Sequence, residues 1–351
     1  MKRLCSLIAG LVVICAGASD ATAASGYRLI PIVSDDDTPI AVTDLNERGE
    51  VVGVKGEIEV RRAFRWRNGR YTDIHELAAP GYEFSESTGL NDDGVIVGGR
   101  SGSPGYDGFR LQGTRVFPVS VREQETFVFP VDINNRGEMI VDSFGGEGGG
   151  SYFIRRDGTA ELLPALPGGS ETMLAIDLND RGAVAGSVIV PSATVAVLWQ
   201  NGTLTEVASG LNARTSTAYD VNNRNQVVGS AQLPGLGDRA FIWQNGRATL
   251  LSAPTPAATT LNSSALNIND WGAIVGEVQV SEPDNRRYAT LWINGRPLLL
   301  ETLIRADDPL KPYVRLENAS KINDRGEIVT FGVDSRAPDQ RRHYLLRFDV
   351  R

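Results

Sequence analysis

Cysteine is nearly missing from this chain: among 351 residues there are two, Cys5 and Cys15, and histidine is as scarce, at His75 and His343. Both cysteines fall in a leading segment that reads as cleaved, so the remainder has no thiol for a disulfide, a Cys-ligated metal or a nucleophile. Two histidines cannot make a three-His metal site. No Gly-x-Ser-x-Gly elbow with strand-to-helix flanks accompanies either of them. Positive charge is also in deficit, with 35 Lys and Arg against 43 Asp and Glu and a net charge of −8. No basic run goes beyond pairs such as Arg61-Arg62, Arg286-Arg287 and Arg341-Arg342. That pattern argues against nucleic acid, whose binding needs clustered cations. A long apolar run is absent as well, since the stretch from Leu7 to Ala18 is too short for a membrane span. With Lys2 and Arg3 before it and Ala21-Thr22-Ala23 after it, this stretch reads as a secretory signal over residues 1–23. Ile14 before Cys15 departs from a lipoprotein cleavage word. The protein is therefore expected to be exported, to the periplasm or the extracellular space.

What the chain does contain is a turn repeated seven times. Its first residue is Asn46, Asn91, Asn134, Asn179, Asn222, Asn269 and Asn323, at steps of 45, 43, 45, 43, 47 and 54 residues. The fourth is Gly49, Gly94, Gly137, Gly182, Asn225, Gly272 and Gly326. An Asn side chain accepts from the backbone two residues on, and Gly supplies the positive φ of a type I turn closed by a bulge. Asn225 is the other residue type that tolerates that conformation. Around each turn the apolar pattern has period two. In the first repeat, strands are predicted at 41–45, 50–54, 63–66 and 71–77, the last two joined by Asn68-Gly69. Asn201-Gly202, Asn245-Gly246 and Asn294-Gly295 repeat that hairpin, with Gln112-Gly113 and Asp157-Gly158 as weaker forms. Phe64 and Trp66, Val197 and Trp199, Phe241 and Trp243, and Thr290 and Trp292 share one strand face and read as core. Phe109 stands one place off this register, which a bulge would absorb.

Four-stranded units of this period are blades of a β-propeller. The expectation is an all-β, seven-bladed β-propeller formed by residues 24–351 as a single domain. The seventh repeat stops after its third strand, 343–350, while an unassigned strand, 27–32, precedes the first. That N-terminal strand is expected to close the last blade and hide its edge.

Such a scaffold places its variable loops opposite the Asn turns, and variable loops on rigid scaffolds usually carry function. Candidate binding residues there are Arg287, Arg305, Arg342 and Tyr313, the longest connection being 300–319. The few catalytic candidates are His343, beside those loops, and the carboxylates Asp307 and Asp308. His75 falls on a predicted outer strand and reads as surface. Two positions before the repeated Asn stand Asp44, Gly89, Asp132, Asp177, Asp220, Asn267 and Lys321. These form either a mostly acidic ring at one end of the channel or caps that bond a neighbouring backbone. A calcium-loop reading fails because Arg occupies the fifth position in five of the seven repeats and Lys55 stands at the twelfth in the first. The glycine-rich segment 145–150 has no Lys-Ser or Lys-Thr after it and is no phosphate loop. No cofactor or metal is expected.

The words Arg62-Ala63-Phe64-Arg65-Trp66-Arg67-Asn68-Gly69, Arg239-Ala240-Phe241-Ile242-Trp243-Gln244-Asn245-Gly246 and Leu166-Pro167-Gly168-Gly169 before Ala175-Ile176-Asp177-Leu178-Asn179 resemble the bacterial HAF-type extracellular repeat family. Arg replaces the eponymous His, which removes one possible metal ligand per repeat. The resemblance implies export and a propeller-like repeat domain, and it carries over no catalytic residue. The expected role is a monomeric binding scaffold for a protein, glycan or cell-surface component. The alternative is a lyase or hydrolase of extracellular polymers with its site at the channel mouth. The poverty of catalytic residue types favours the first.

Overall fold

The computed structural model describes residues 25–350 apart from 58–59, 104, 123–126, 146–148, 171, 255–259 and 282–284. The signal segment, with Cys5 and Cys15, lies outside the described residues. Each repeat folds as a four-stranded antiparallel meander. In the first, β2 (Ile40–Leu45), β3 (Glu50–Lys55), β4 (Arg62–Arg67) and β5 (Arg70–Asp73) pair in sequence order. β14–β17 span 174–206, β18–β21 span 215–250 and β22–β25 span 260–299, each set forming its own sheet.

The second and third repeats depart from seven separate sheets. β6 (Phe84–Leu90), β7 (Ile96–Gly102), β8 (Gly105–Gln112) and β9 (Arg115–Val119) merge with β10 (Phe127–Ile133), β11 (Met139–Phe144), β12 (Gly150–Ile154) and β13 (Ala160–Leu162) in one eight-stranded sheet. The join is one parallel pairing, Phe127 with Tyr106, whose rings stack at 4.1 Å. Five four-stranded sheets and one of eight strands thus replace the expected seven.

The last four-stranded sheet has the order β1 (Ser25–Ile32), β28 (Arg341–Val350), β27 (Ile328–Asp334), β26 (Val314–Ile322). β1 runs antiparallel to β28 from Ser25 opposite Val350 to Ile32 opposite His343.

The core lies between sheets. Trp66, Trp199 and Trp292 and Phe64, Phe109, Phe153 and Phe241 are all buried, which is the packing role predicted for the paired aromatics. Phe109 lies opposite Gly98 as Phe64 lies opposite Gly53, so no bulge is needed in the second repeat. The register is instead set by a hairpin at Gly113-Thr114, flanked by Gln112 opposite Arg115. The predicted fourth strand of the first repeat is also shorter. It ends at Asp73 and gives way to a one-turn helix, α1 (His75–Ala78), whose N-cap is Ile74; the Asp73 carboxylate accepts the His75 N–H at 2.8 Å, an Asx turn that bends the chain out of the strand. His75 is consequently buried, with Nδ1 2.8 Å from Ser85 Oγ. The connection after β25 contains a 3-10 helix, Leu300–Leu303, and β26 begins earlier than predicted.

Candidate functional site at the channel mouth

The repeated turns build a layered ring. In all seven, Asn Oδ1 accepts the backbone N–H two residues on, at 2.9–3.1 Å. The fourth residue has positive φ throughout, Asn225 included at +56°. With the acceptor used locally, Nδ2 is left to donate outward. Asn46 donates to Asn91 O, Asn91 to Asn134 O, Asn134 to Asn179 O, Asn179 to Asn222 O, Asn222 to Asn269 O, Asn269 to Asn323 O, and Asn323 back to Asn46 O, at 2.8–3.2 Å. Five of them also donate to a side chain of their own or a neighbouring repeat: Asn46 to Glu50, Asn134 to Glu138, Asn179 to Asn225, Asn222 to Gln226 and Asn323 to Glu327. All seven are buried, so the circuit satisfies polar groups that would otherwise be costly.

A second circuit uses the next residue of each turn: Glu47, Asp92, Asn135, Asp180, Asn223, Asp270 and Asp324. The backbone N–H of each donates to the side chain of the following one, and Asp324 N–H donates to Glu47 Oε1, at 2.6–2.8 Å. Nothing in the turn signature itself draws attention to this position, yet an acid or amide stands there in every repeat.

The third tier is the one predicted two positions before Asn. Five of its seven members accept a backbone N–H from the following repeat. Asp44 accepts from Leu90 N–H at 2.8 Å, Asp132 from Leu178 at 3.2 Å, Asp177 from Val221 at 2.9 Å, Asp220 from Ile268, and Asn267 from Ile322 at 2.7 Å. The same residues line the channel. Gly89 leaves the gap Asp132 needs, since a Cβ at that position would lie 2.8 Å from Asp132 Oδ1. Lys321 completes the tier, with Nζ 3.6 Å from Asp44 Oδ1.

Together the tiers enclose a cavity of about 280 Å³ on the Asn-turn side, lined by nine carboxylates (Asp44, Glu47, Asp92, Asp132, Asp177, Asp180, Asp220, Asp270, Asp324) and one ammonium, Lys321. Their ionisation is perturbed accordingly. Burial, then the carboxylates of Asp177 and Asp44, push Asp132 well above the usual carboxyl range; burial, then Asp220, does the same to Asp177. Asp220 is raised to about 6 by burial, with Lys321 opposing. Glu47 is raised to about 7 by burial and by the carboxylates of Asp324 and Asp92. For Lys321 burial works against the charge, but Asp44, Asp177, Asp220 and Asp132 outweigh it and push its pKa up. The lysine thus stays charged at the centre of an excess of acid. Among the described residues, no group of three or more His, Cys, Asp or Glu side chains is arranged to hold a metal ion.

The variable-loop candidates do not converge. Arg305 is buried, bonded to Asp307 at 2.7 Å through two nitrogens and within 3.4 Å of Asp349. That pairing holds Asp307 at about 2. Asp308 is buried and accepts the Leu29 N–H at 3.0 Å, so it pins β1 in place. Arg287 pairs with Glu277 at 3.4 Å, and Tyr313 lies under the Arg336 guanidinium at 4.5 Å. Arg342 and His343 share a crevice of about 360 Å³ with Ile32, Ile40, Phe331 and Asp37. Burial pushes the His343 imidazole down to about 4, and Arg342 reaches Asp37 at 4.0 Å.

Residues 191–293 match the model of a family described as "Protein of unknown function (DUF3466)". No curated protein matches the chain. Among solved structures, the β-propeller domain of the Trilobed protease from Pyrococcus furiosus overlays with a TM-score of 0.52 at 9% identity, covering 89% of this chain and 95% of that one. YCF48 bound to D1 peptide overlays at 0.51 and 10% identity, covering 95% and 100%. TolB from Acinetobacter baumannii overlays at 0.44 and 14% identity over 64% of this chain, which spans 63% of that protein's length. The chain has a β-propeller fold. At these identities the likeness concerns the propeller architecture, and no activity travels with it. No helix among the described residues is long and apolar enough to cross a membrane.

Proposed function

We propose that the protein is an exported β-propeller that serves as a binding module and takes a cationic group of a protein partner into the channel mouth. The observation that carries this is the cavity's composition: nine carboxylates against one ammonium, on a side where every turn is already held by its own hydrogen bonds. Such a mouth concentrates field and attracts positive charge. We read the eight-stranded sheet as two blades touching at one bridge, which makes a seven-bladed ring, and we read the pairing of β1 with β28 as its closure. The circuit returning from Asn323 to Asn46 supports that reading. Export rests on the signal-like leader and on the resemblance to extracellular repeats. YCF48, a propeller seen with D1 peptide, is consistent with a protein partner for this fold.

The placement differs from the variable-loop face expected on general grounds, because the charged groups there are engaged with one another. A second reading, a polymer hydrolase or lyase, draws on Asp177 and Asp220 as an acid beside a base at the mouth.

Titration with spermidine at low salt tests the proposal. Binding is expected to weaken with added salt and to fall by roughly tenfold in Asp180→Asn/Asp270→Asn, which removes two lining carboxylates at places in the second circuit that an amide already fills at Asn135 and Asn223, the size of effect that removing charges at close range produces. Absence of binding at low salt would refute it. Turnover of polysaccharides that is abolished by Asp177→Asn would establish the second reading instead.

A further inference from the structure

The residue after the second circuit forms the outer rim of the mouth: Arg48, Asp93, Arg136, Arg181, Arg224, Trp271 and Arg325, all exposed. Most of the rim arginines are committed. Arg136 pairs with Glu138 at 2.5 Å, Arg325 with Glu327 at 2.6 Å and Arg48 with Asp93 at 3.8 Å. The first two pairings arise because the residue two places on is Glu. In the fourth and fifth repeats that place is taken by Ala183 and Gln226, and neither Arg181 nor Arg224 has an ion-pair partner among the described residues. Next along the rim comes Trp271, 46% exposed. Its indole N–H is tied to Asp324 O at 3.0 Å, so the ring is held in place with one side to solvent. Arg224 extends over this same turn, since a Cβ on Gly272 would lie 3.3 Å from its Nη2.

An exposed, oriented Trp beside two unpaired Arg is the residue combination that dominates binding hot spots. Behind it lies an acid-lined cavity. We infer that the arc Arg181–Arg224–Trp271 is a docking surface for a polypeptide segment that places a Lys or Arg side chain in the mouth and acidic residues beside it against Arg181 and Arg224. This rests on the mouth reading above and adds the partner's charge pattern. A purely basic segment is disfavoured because the rim would repel its flanks.

Calorimetry at low salt with three capped peptides tests it: Gly-Gly-Glu-Lys-Glu-Gly-Gly, the same peptide with Gln for both Glu, and the same with Lys for both Glu. The Glu peptide is expected to bind roughly fivefold or more tightly than the Gln peptide, as two partly exposed ion pairs allow. Arg181→Gln/Arg224→Gln should erase that preference while leaving the Gln peptide's affinity in place. Trp271→Ala should weaken both by on the order of tenfold. Melting curves report that these exposed substitutions leave the fold intact. Equal binding of the Glu and Gln peptides overturns the docking arc and leaves the mouth reading standing. Tightest binding by the all-Lys peptide overturns it in favour of a simple cation site. If no peptide binds while spermidine does, the partner is not a polypeptide and the inference fails; if neither binds, the mouth reading fails with it.

Discussion

At the residue scale, the repeated Asn is the best-used side chain in the molecule. Asn134 accepts from Arg136 and Glu138 N–H at 3.0 and 2.9 Å and donates to Asn179 O and Glu138 Oε2 at 3.0 and 2.8 Å. Replacing it by Ala leaves several buried groups without partners. We expect Asn134→Ala to cost about 3 kcal/mol or more, given ~1–3 kcal/mol per buried unsatisfied group. Urea denaturation measures it, and a loss below about 1 kcal/mol would mean that water replaces the bonds. The local half of this role was legible in the sequence, because an Asx turn closed by Gly is a property of four neighbouring residues. The outward half was not, since the acceptor of each Nδ2 lies one repeat away. The acid or amide after each Asn carried a readable signal that the turn pattern overshadowed.

At the element scale, β1 shows what a strand paired with a partner more than 300 residues away contributes. Tyr27, Leu29 and Ile32 are buried, and Tyr27 meets Phe348 edge-on at 5.3 Å. Arg305 N–H donates to Tyr27 O at 3.0 Å, while Asp308 receives Leu29 N–H. Asp307 and Asp308, read in the sequence as possible acid and base, therefore act around this strand. Tyr27→Ala should cost about 3–5 kcal/mol, the range for an aromatic deleted from a core, and an unchanged urea midpoint would show that β1 contributes nothing. The strand itself was readable from period-two patterning and from the missing fourth strand of the last repeat. The helix α1 was not, because an Asx turn followed by one helical turn is too short to interrupt a strand-like pattern from 71 to 77. The burial of His75 followed from that misreading.

At the scale of the whole molecule, the ring makes stability depend on pH in a particular sense. Unfolded carboxyls ionise near pH 4, whereas in the fold Asp220 keeps its proton to about 6 and Glu47 to about 7. Asp132 and Asp177 are shifted the same way. The native state thus binds more protons than the unfolded chain between about pH 4 and 7, and stability falls as pH rises through that window. Asp307 and Asp334, held at about 2 by Arg305 and Arg336, act oppositely: their contribution is present above about pH 4 and is lost as pH falls toward 2. The melting temperature is expected to be higher at pH 5 than at pH 8, with Asp177→Asn narrowing the difference. A melting temperature that does not change between these pH values would show that the ring does not retain protons.

The sequence by itself determined the strand-and-turn grammar: which residues alternate, where each hairpin turns, and that the unit recurs, because these depend on backbone sterics and neighbours a few positions apart. The tertiary structure decided that the acids of two tiers, one offered by the sequence and one not, gather in a single cavity. Residues some 45 positions apart in the chain, Asp44 and Gly89 or Asp177 and Asp220, become neighbours around one axis, and Coulomb interaction and desolvation act through space. That is why the most local feature of the sequence, a four-residue turn, becomes the wall of an acid-lined cavity.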